Sequence, residues 1–303
     1  MSTTRRNFLK TGSLSVAALA IGSQKLFAAQ APDIYLGIQL YSVREDMDKD
    51  PSGTLKKLSD MGYRYVEHAN YENRKFYGYT PTEFKKLLAG YNIEMPSGHV
   101  VMTPTDYNFV KKDFSDNWKQ TVEDAATAGQ LFLVSPWLDE SLRRNMKDFL
   151  SYMNVFNQSG ALCKKSGMKF GYHNHDFEFN TRIDGKELYD LIMQHTDPSL
   201  VAQQLDMGNL YNGGVKAMDI VNKYPGRYEL MHVKDEILSD EKGDDKYVST
   251  ILGKGIVGTR EICDIGKKSG GTKYFIIEQE SYQGLTPVDC SREDYQIMKS
   301  WGY

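Results

Sequence analysis

The chain alternates eight short apolar segments with stretches of helical pattern, and this alternation restricts its fold more than any other feature. Each apolar segment is rich in β-forming residues, and each gap is long enough to hold a helix. Strands separated by helices run parallel, and eight such units can close on themselves. The sequence therefore predicts an α/β fold, a single (β/α)8 TIM barrel. The predicted strands are Ile34–Leu40, Tyr63–Glu67, Ile93–Ser97, Leu131–Ser135, Lys169–His173, Val201–Asp206, Glu229–Val233 and Tyr274–Glu278.

Helices are predicted between these strands, and glycine ends several of them. A glycine there can adopt the left-handed C-cap conformation without steric cost. Two longer connections, residues 98–113 and 234–256, leave strand ends and are either lids over a site or surface insertions. The predicted helices are Pro51–Met61, Thr80–Gly90, Phe114–Gly129, Leu142–Gly167, Gly185–His195, Ala217–Tyr224 and Val257–Gly270; the predicted cap glycines are Gly62, Gly90, Gly129, Gly167 and the pair Gly270 and Gly271.

The N-terminus has the pattern of an export signal. Thr4–Lys10 resembles the twin-arginine consensus, Leu14–Ile21 is modestly apolar, and Ala28–Ala31 offers small residues for cleavage. A basic amphipathic tail is the alternative. The apolar stretch is too short to span a bilayer, which needs about 20 residues, so we expect no membrane anchor. We predict a twin-arginine signal peptide over residues 1–31, a barrel domain over residues 32–303, and a periplasmic protein.

The charge balance argues against nucleic acid as a partner. The full chain has 37 basic and 40 acidic residues, a formal charge of −3. Residues 1–31 contain four basic residues and no acid, so their removal leaves 33 against 40 and a charge of −7. An acidic protein binds nucleic acid and anionic membranes poorly. We expect a small-molecule partner, and a homo-oligomer is compatible with the sequence.

Four segments in the second half of the chain end in side chains that can bind a divalent metal: Phe170–Glu178, Gln203–Asp206, Leu230–Asp235 and Phe275–Glu280. In a parallel barrel the carboxyl ends of all strands meet at one face. Divalent ions take oxygen and imidazole ligands, and a catalytic site leaves a position open. Taken singly, each residue has a simpler reading, such as a helix N-cap for Asp206. Together they predict one divalent ion: manganese, cobalt, zinc or magnesium.

Six motifs, spread over nearly the whole predicted barrel, resemble the sugar phosphate isomerase/epimerase family of xylose isomerase-like barrels: Gly37–Arg44, Gly171–Phe179, Leu205–Asn209, His232–Asp235, Leu252–Gly255 and Ile277–Glu280. That family holds one divalent ion with Glu, Asp, His and Glu from strands five to eight. The resemblance places the last three on Asp206, His232 and Glu278. Strand five differs, because His173 stands where many relatives have Glu. Either His173 takes that place or Glu178 reaches back to the ion; keeping the carboxylate and its charge favours Glu178.

The resemblance implies chemistry at a carbon next to a carbonyl. A metal ion would stabilise the enediolate that forms when the α-proton is removed. His175 is the predicted base, and Glu178 and Glu278 are also assigned to catalysis. A periplasmic location and the lack of a glycine-rich phosphate loop favour a non-phosphorylated keto-sugar. The resemblance makes an isomerase or epimerase the first assignment. The His-Asn-His segment is similar to relatives acting on keto-inositols and 3-keto-glycosides, so a lyase or hydratase working by elimination is the alternative.

Seven further side chains are predicted to contact the substrate: Glu67, His99, Trp137, His173, Asn209, Lys234 and Glu280. Trp137 offers a flat apolar wall for a sugar ring, or packs under a loop. Lys234 donates to a substrate oxygen or pairs with Asp235. Glu280 lies two residues beyond Glu278 and so points to the same side, where it orients a hydroxyl or supports the metal.

Two other functional classes fit less well. A DNA-repair endonuclease on this barrel needs a multinuclear metal cluster and a basic face, whereas this chain has six histidines and is acidic. A non-catalytic sugar-binding barrel would keep the fold and lose turnover. The three ligand positions at Asp206, His232 and Glu278 argue against that second class.

Overall fold

Eight parallel strands close into a barrel in the structure, a computed structural model that describes residues 34–239 and 246–303. Each strand pairs with its neighbours in sequence, and β1 pairs with both β2 and β8, which closes the ring. This confirms the predicted (β/α)8 barrel. The strands are β1 Tyr35–Gln39, β2 Tyr65–His68, β3 Glu94–His99, β4 Phe132–Ser135, β5 Lys169–His173, β6 Val201–Asp206, β7 Leu230–Val233 and β8 Tyr274–Ile277.

The helices surround this barrel, and those predicted between strands are present with ends shifted by a few residues. Short α1, α6 and α8 and the final α11 lie outside the sequence prediction; α11 follows β8 and packs against α2. A π-helical turn, Gly266–Gly270, extends α10. The helices are α1 Arg44–Lys49, α2 Pro51–Met61, α3 Pro81–Gly90, α4 Asp116–Ala128, α5 Met146–Lys165, α6 Phe177–Asn180, α7 Leu188–His195, α8 Met207–Asn212, α9 Ala217–Lys223, α10 Thr259–Ile265 and α11 Pro287–Ser300.

One of the predicted cap glycines is placed differently. Gly62 and Gly129 end their helices in the left-handed conformation, with φ of 114° and 98°. Gly90 instead stays within α3, and Asn92 takes the left-handed conformation with φ of 54°. Asparagine tolerates that conformation better than most residues with a side chain, so the left-handed residue after α3 is two positions later than the glycine rule predicts, although α3 itself ends at Gly90.

The two predicted long connections carry short antiparallel ribbons. Tyr107–Asn108 pairs with Asp113–Phe114, and Asp235–Leu238 pairs with Tyr247–Thr250. The predicted twin-arginine segment, residues 1–31, lies outside the described residues. Among the residues that the structure describes, no helix combines the length and the apolar character needed to cross a membrane.

Side chains that face the barrel interior change from apolar to polar along the strands. Phe132 and Tyr274 lie on opposite strands, yet their rings meet edge to face with centroids 5.3 Å apart. Tyr35 stacks on Tyr274 at 4.5 Å, so aromatic rings form a floor at the amino ends of the strands. Alternate residues share a face, which places His232, two residues after Leu230, in the same interior nearer the mouth. The fold thus has an apolar floor and a polar mouth.

Helix α5 depends on a close approach at Gly160. A Cβ atom at Gly160 would lie 2.5 Å from the carbonyl oxygen of Leu200, which is backbone and cannot rotate away. We expect Gly160→Ala to lower the free energy of unfolding by about 1–3 kcal/mol. Gly90→Ala is the matched control, since no atom lies within 4 Å of that Cβ position and removing a helical glycine stabilises by about 0.5–1 kcal/mol. Denaturant unfolding measures both; equal effects would contradict the close packing.

Candidate active site

Glu67 is a buried carboxylate at the centre of the polar end of the barrel. Its Oε1 accepts hydrogen bonds from Gln39 Nε2 at 2.8 Å and His232 Nε2 at 2.6 Å, and its Oε2 accepts from Gln204 Nε2 at 2.8 Å. Burial alone would raise the pKa of Glu67, but the imidazoles of His99 and His232 hold it well below the usual range. Glu67, predicted to contact the substrate, therefore lies beneath the site as an ionised hydrogen-bond acceptor.

Gln204 sets the protonation of two histidines. Its Nε2 donates to Glu67, so its Oε1 faces His99 Nε2 at 2.7 Å and His173 Nδ1 at 3.0 Å. An amide oxygen only accepts hydrogen bonds, so both of these ring nitrogens carry a proton. In neutral His173 the lone pair is then on Nε2, which lies 3.8 Å from Asp206 Oδ2. His173 thus directs its Nε2 toward the mouth, where Asn209 Nδ2 lies 3.4 Å away.

His232 presents its other nitrogen in the same direction. Its Nε2 is bound to Glu67, while its Nδ1 lies 3.1 Å from Glu278 Oε2 and 3.7 Å from Asp206 Oδ2. Burial alone would lower the pKa of His232, but the carboxylates of Glu278 and Glu67 raise it to about 10. A proton is therefore held between two carboxylates, at a place that a cation could take. Such imidazole–carboxylate pairs orient metal ligands in proteins.

The two carboxylate oxygens of Asp206, at the end of β6, have different surroundings. Its Oδ1 accepts a hydrogen bond from the Asn209 amide at 2.7 Å, which caps α8. Its Oδ2 is buried and has no hydrogen-bond partner among the described residues. Burial raises the pKa of Asp206 to about 6. An unsatisfied buried carboxylate oxygen is costly, and a cation would satisfy it.

These residues fit a divalent ion. One ligand atom each from Asp206, His232 and Glu278 lie within 4.8 Å of one another. Burial alone would raise the pKa of Glu278, but Lys234 and His232 hold it well below the usual range, so this ligand is ionised. The three residues predicted from strands six to eight are therefore brought together.

Glu178 is not brought to this group. It lies in α6, where its Oε1 accepts a hydrogen bond from the Tyr172 hydroxyl and its Oε2 accepts one from the His175 amide at 2.9 Å. Tyr172 alternates with His173 on β5 and so points to the opposite face of that strand, away from the barrel interior. Burial raises the pKa of Glu178 to about 7. The side chain that β5 does direct toward Asp206 is His173.

His175, the predicted base, lies at the mouth beside Trp137. Their rings meet edge to face with centroids 5.2 Å apart, and Trp137 is 39% exposed on the rim. His175 Nδ1 is buried without a partner among the described residues. Burial lowers the pKa of His175 to about 4, so its imidazole is neutral near pH 7. The predicted apolar wall and the predicted base are thus neighbours.

Lys234 and Glu280 form the charged side of the mouth. Lys234 Nζ lies 2.7 Å from Glu280 Oε1 and 3.5 Å from Glu278 Oε2. It does not pair with Asp235, whose Oδ2 accepts hydrogen bonds from the amides of Gly253 and Gly255. Burial alone would lower the pKa of Lys234, but the carboxylates around it, Glu278 first, raise it, so the ammonium stays charged.

A cavity of about 630 Å³ opens above these residues. Its walls include His99, His173, His175, Asn209 and Glu278, all predicted for the site. Asn209 Nδ2 lies 3.4 Å from His173 Nε2 and 3.2 Å from the carbonyl oxygen of Asn174. A cavity of this volume is large enough for a sugar.

Gln39 and Gln204 are functional side chains that the sequence prediction omits. Gln204 lies two residues before Asp206, so the alternation of a strand places both on the inward face of β6. Gln39 is the last residue of β1 and pairs in register with Glu67. The same period-two rule that places Asp206 at the mouth also places Gln204 on the inward face of its strand.

Comparison with known proteins places this barrel in a family. The sequence profile of the xylose isomerase-like TIM barrel family matches residues 55–301. The chain is 28% identical over 159 residues to an inosose dehydratase of Clostridium perfringens, covering 49% of this chain and 52% of that protein. It is 29% identical over 179 residues to an inosose dehydratase of Clostridium botulinum, covering 55% and 59%. The match thus spans about half the length of these curated relatives.

Solved structures agree with the fold. A sugar phosphate isomerase/epimerase from Parabacteroides distasonis superposes with a TM-score of 0.73 at 25% identity, covering 88% of this chain and 98% of that one. A second structure from the same organism, with the same description, gives a TM-score of 0.75 at 22% identity, covering 92% and 98%. With a family profile matched over most of its length, this chain belongs to the xylose isomerase-like TIM barrels.

Proposed function

We propose that this protein is a metal-dependent enzyme that removes the α-proton of a non-phosphorylated keto-sugar and then eliminates an oxygen substituent from the neighbouring carbon. The observation that carries the proposal is Asp206 Oδ2, a buried carboxylate oxygen without a hydrogen-bond partner among the described residues, facing ring nitrogens of His173 and His232. Similarity to inosose dehydratases favours elimination. The predicted export signal supports a substrate without phosphate.

The ion would be held by Asp206, His232, Glu278 and His173. In place of Glu178, His173 is the fourth ligand in this proposal because Gln204 holds its Nδ1 and its Nε2 faces Asp206 Oδ2 at 3.8 Å. Two imidazoles and two carboxylates suit manganese, cobalt or zinc better than magnesium, which prefers oxygen ligands. When bound, the ion polarises the substrate carbonyl and stabilises the enediolate.

The side chains at the mouth supply the proton transfers. Neutral His175 accepts the α-proton as the C–H bond breaks. The electron pair of that bond stays on the substrate and forms the enediolate. Collapse of the enediolate restores the carbonyl, forms a carbon–carbon double bond and breaks the neighbouring C–O bond. The leaving oxygen takes a proton, for which the charged Lys234 is a donor. Trp137 borders His175 and gives the sugar ring an apolar wall.

Isomerisation or epimerisation is the second candidate. The same proton removal ends in isomerisation when the substrate carries no leaving group and the proton returns to another carbon or the other face. The Parabacteroides distasonis structure at 25% identity, described as a sugar phosphate isomerase/epimerase, favours this candidate. Both candidates use the same residues, so the products distinguish them.

Asp206→Asn should abolish metal binding without unfolding the protein. The amide keeps the shape and the cap on α8 but removes the charge that an ion needs. Metal analysis after dialysis against manganese, cobalt or zinc should give about one ion per chain for the wild type and none for the variant. Asp219→Asn, on the exposed side of α9, should keep the ion. A wild type without bound ion and without a gain in melting temperature would contradict the proposal.

Glu178→Gln and His173→Ala separate the two candidates for the fourth ligand. We expect Glu178→Gln to keep the ion and His173→Ala to lose at least about tenfold in metal affinity.

The folded pKa of Glu178, about 7, exceeds the ordinary value of 4.5, so the contribution of Glu178 to the free energy of unfolding falls as pH rises from 4.5 to 7. Glu178→Gln should remove this fall, on the order of 3 kcal/mol. Isothermal titration measures the metal affinities, and denaturation at several pH values measures the free energy of unfolding. Loss of the ion in Glu178→Gln would make Glu178 the fourth ligand instead of His173.

Incubation in deuterium oxide distinguishes the reactions. With 3-keto-glucosides, release of the aglycone indicates elimination; deuterium exchange without release indicates isomerisation or epimerisation. His175→Ala should reduce both by at least about 100-fold, because general base catalysis contributes that much, and should keep the ion. An unchanged rate in His175→Ala would remove it from the base role.

A further inference from the structure

A second chamber adjoins the cavity at the mouth. It has a volume of about 430 Å³ and shares three wall residues, His175, Asn209 and Glu280, with the first cavity. Its outer wall is the ribbon of Asp235–Leu238 and Tyr247–Thr250, which follows β7. The two spaces therefore meet at the predicted base.

The second chamber contains a buried carboxyl group that the proposed reaction does not use. Glu236, on its wall, is 1% exposed. Its Oε2 has no hydrogen-bond partner among the described residues. Its Oε1 sits over the start of α8, 2.7 Å from the position of a Cβ atom on Gly208. Because Gly208 has no side chain, the carboxyl group fits there, and an unpartnered buried oxygen is expected to serve a ligand.

The other wall residues suit a ligand with many hydroxyl groups. Asn209 and Asn212 carry amides that both donate and accept, and Lys234 donates. Tyr247 adds an aromatic ring, held edge to face against Tyr211 with centroids 5.2 Å apart. Hydroxyl groups need donors and acceptors together, and this wall supplies both.

We propose that the second chamber binds a second sugar ring, joined to the ring held beside Asp206, His232 and Glu278, and that Glu236 hydrogen-bonds a hydroxyl group of that outer ring. The substrate is then a two-ring glycoside, with the bond between the rings near His175, where the chambers meet. This inference rests on the proposed function for the inner ring. Each chamber is within the range of volumes of small-molecule sites.

Two variants test the second chamber. Val248→Trp fills it from the ribbon, and Glu236→Gln keeps its shape but changes the hydrogen-bonding group. We expect both to weaken binding of cellobiose by at least about fivefold, about 1 kcal/mol, and to leave binding of methyl glucoside within twofold. Leu238→Trp is the matched control, because Leu238 lies on the same ribbon, is 60% exposed and does not line the chamber. Isothermal titration of the metal-loaded protein measures these affinities.

The same proteins, assayed with the 3-keto derivatives of cellobiose and methyl glucoside, separate this inference from the proposed function. A higher KM for the two-ring substrate alone, in both variants, supports the second chamber. Equal weakening of both sugars, or no preference of the wild type for cellobiose, overturns it even if the methyl compound turns over. A preference for cellobiose that Val248→Trp abolishes supports it even if neither compound reacts, and that result would count against the proposed reaction instead.

Discussion

The arrangement of the site depends on one buried charge, the carboxylate of Glu67. A carboxylate without partners in a barrel interior would be protonated or would destabilise the fold, since burial opposes its ionised form. Here amide and imidazole donors from β1, β6 and β7 surround it. The hydrogen bonds to Glu67 fix the orientations of Gln204 and His232. The Gln204 side chain, held in this way, orients the ring of His173 through a second hydrogen bond. The ring nitrogens that face the mouth are therefore positioned by a residue that does not reach the mouth itself.

Asp206 links this network to the helical layer. One of its oxygens caps α8 and the other faces the imidazoles of His173 and His232, so a single carboxylate joins the packing of a helix to the position of a ligand atom. The two readings of Asp206 that the sequence allows, helix cap and metal ligand, are geometrically compatible. Lys234 balances the remaining negative charge from the side of β7. Structural and chemical requirements thus fall on the same few residues at the ends of the strands.

Much of this arrangement could be predicted from the sequence. The barrel follows from the repeated alternation of strands and helices, and Asp206, His232 and Glu278 lie together because each is at or just beyond the end of its strand. Glu178 shows the limit of the method. The motif suggested that the carboxylate of Glu178 reaches the ion. The turn into α6 instead directs the Glu178 side chain onto Tyr172, and this contact depends on the path of the backbone. The role proposed for Glu236 could not be predicted from the sequence either. It depends on an oxygen without a hydrogen-bond partner and on the space next to Gly208, which only the structure shows.

The aromatic floor of the barrel also determines from which side small molecules can reach the cavity at the mouth. Tyr35, Phe132 and Tyr274 block the far end of the barrel with stacked and edge-on rings, so the described residues offer no route through it. Any small molecule that binds at the mouth must therefore enter and leave on the same side of the barrel. If the proposed elimination takes place, the released fragment has to leave before the next substrate molecule enters, and this order of events follows from the closed end of the barrel rather than from the residues at the reacting carbon.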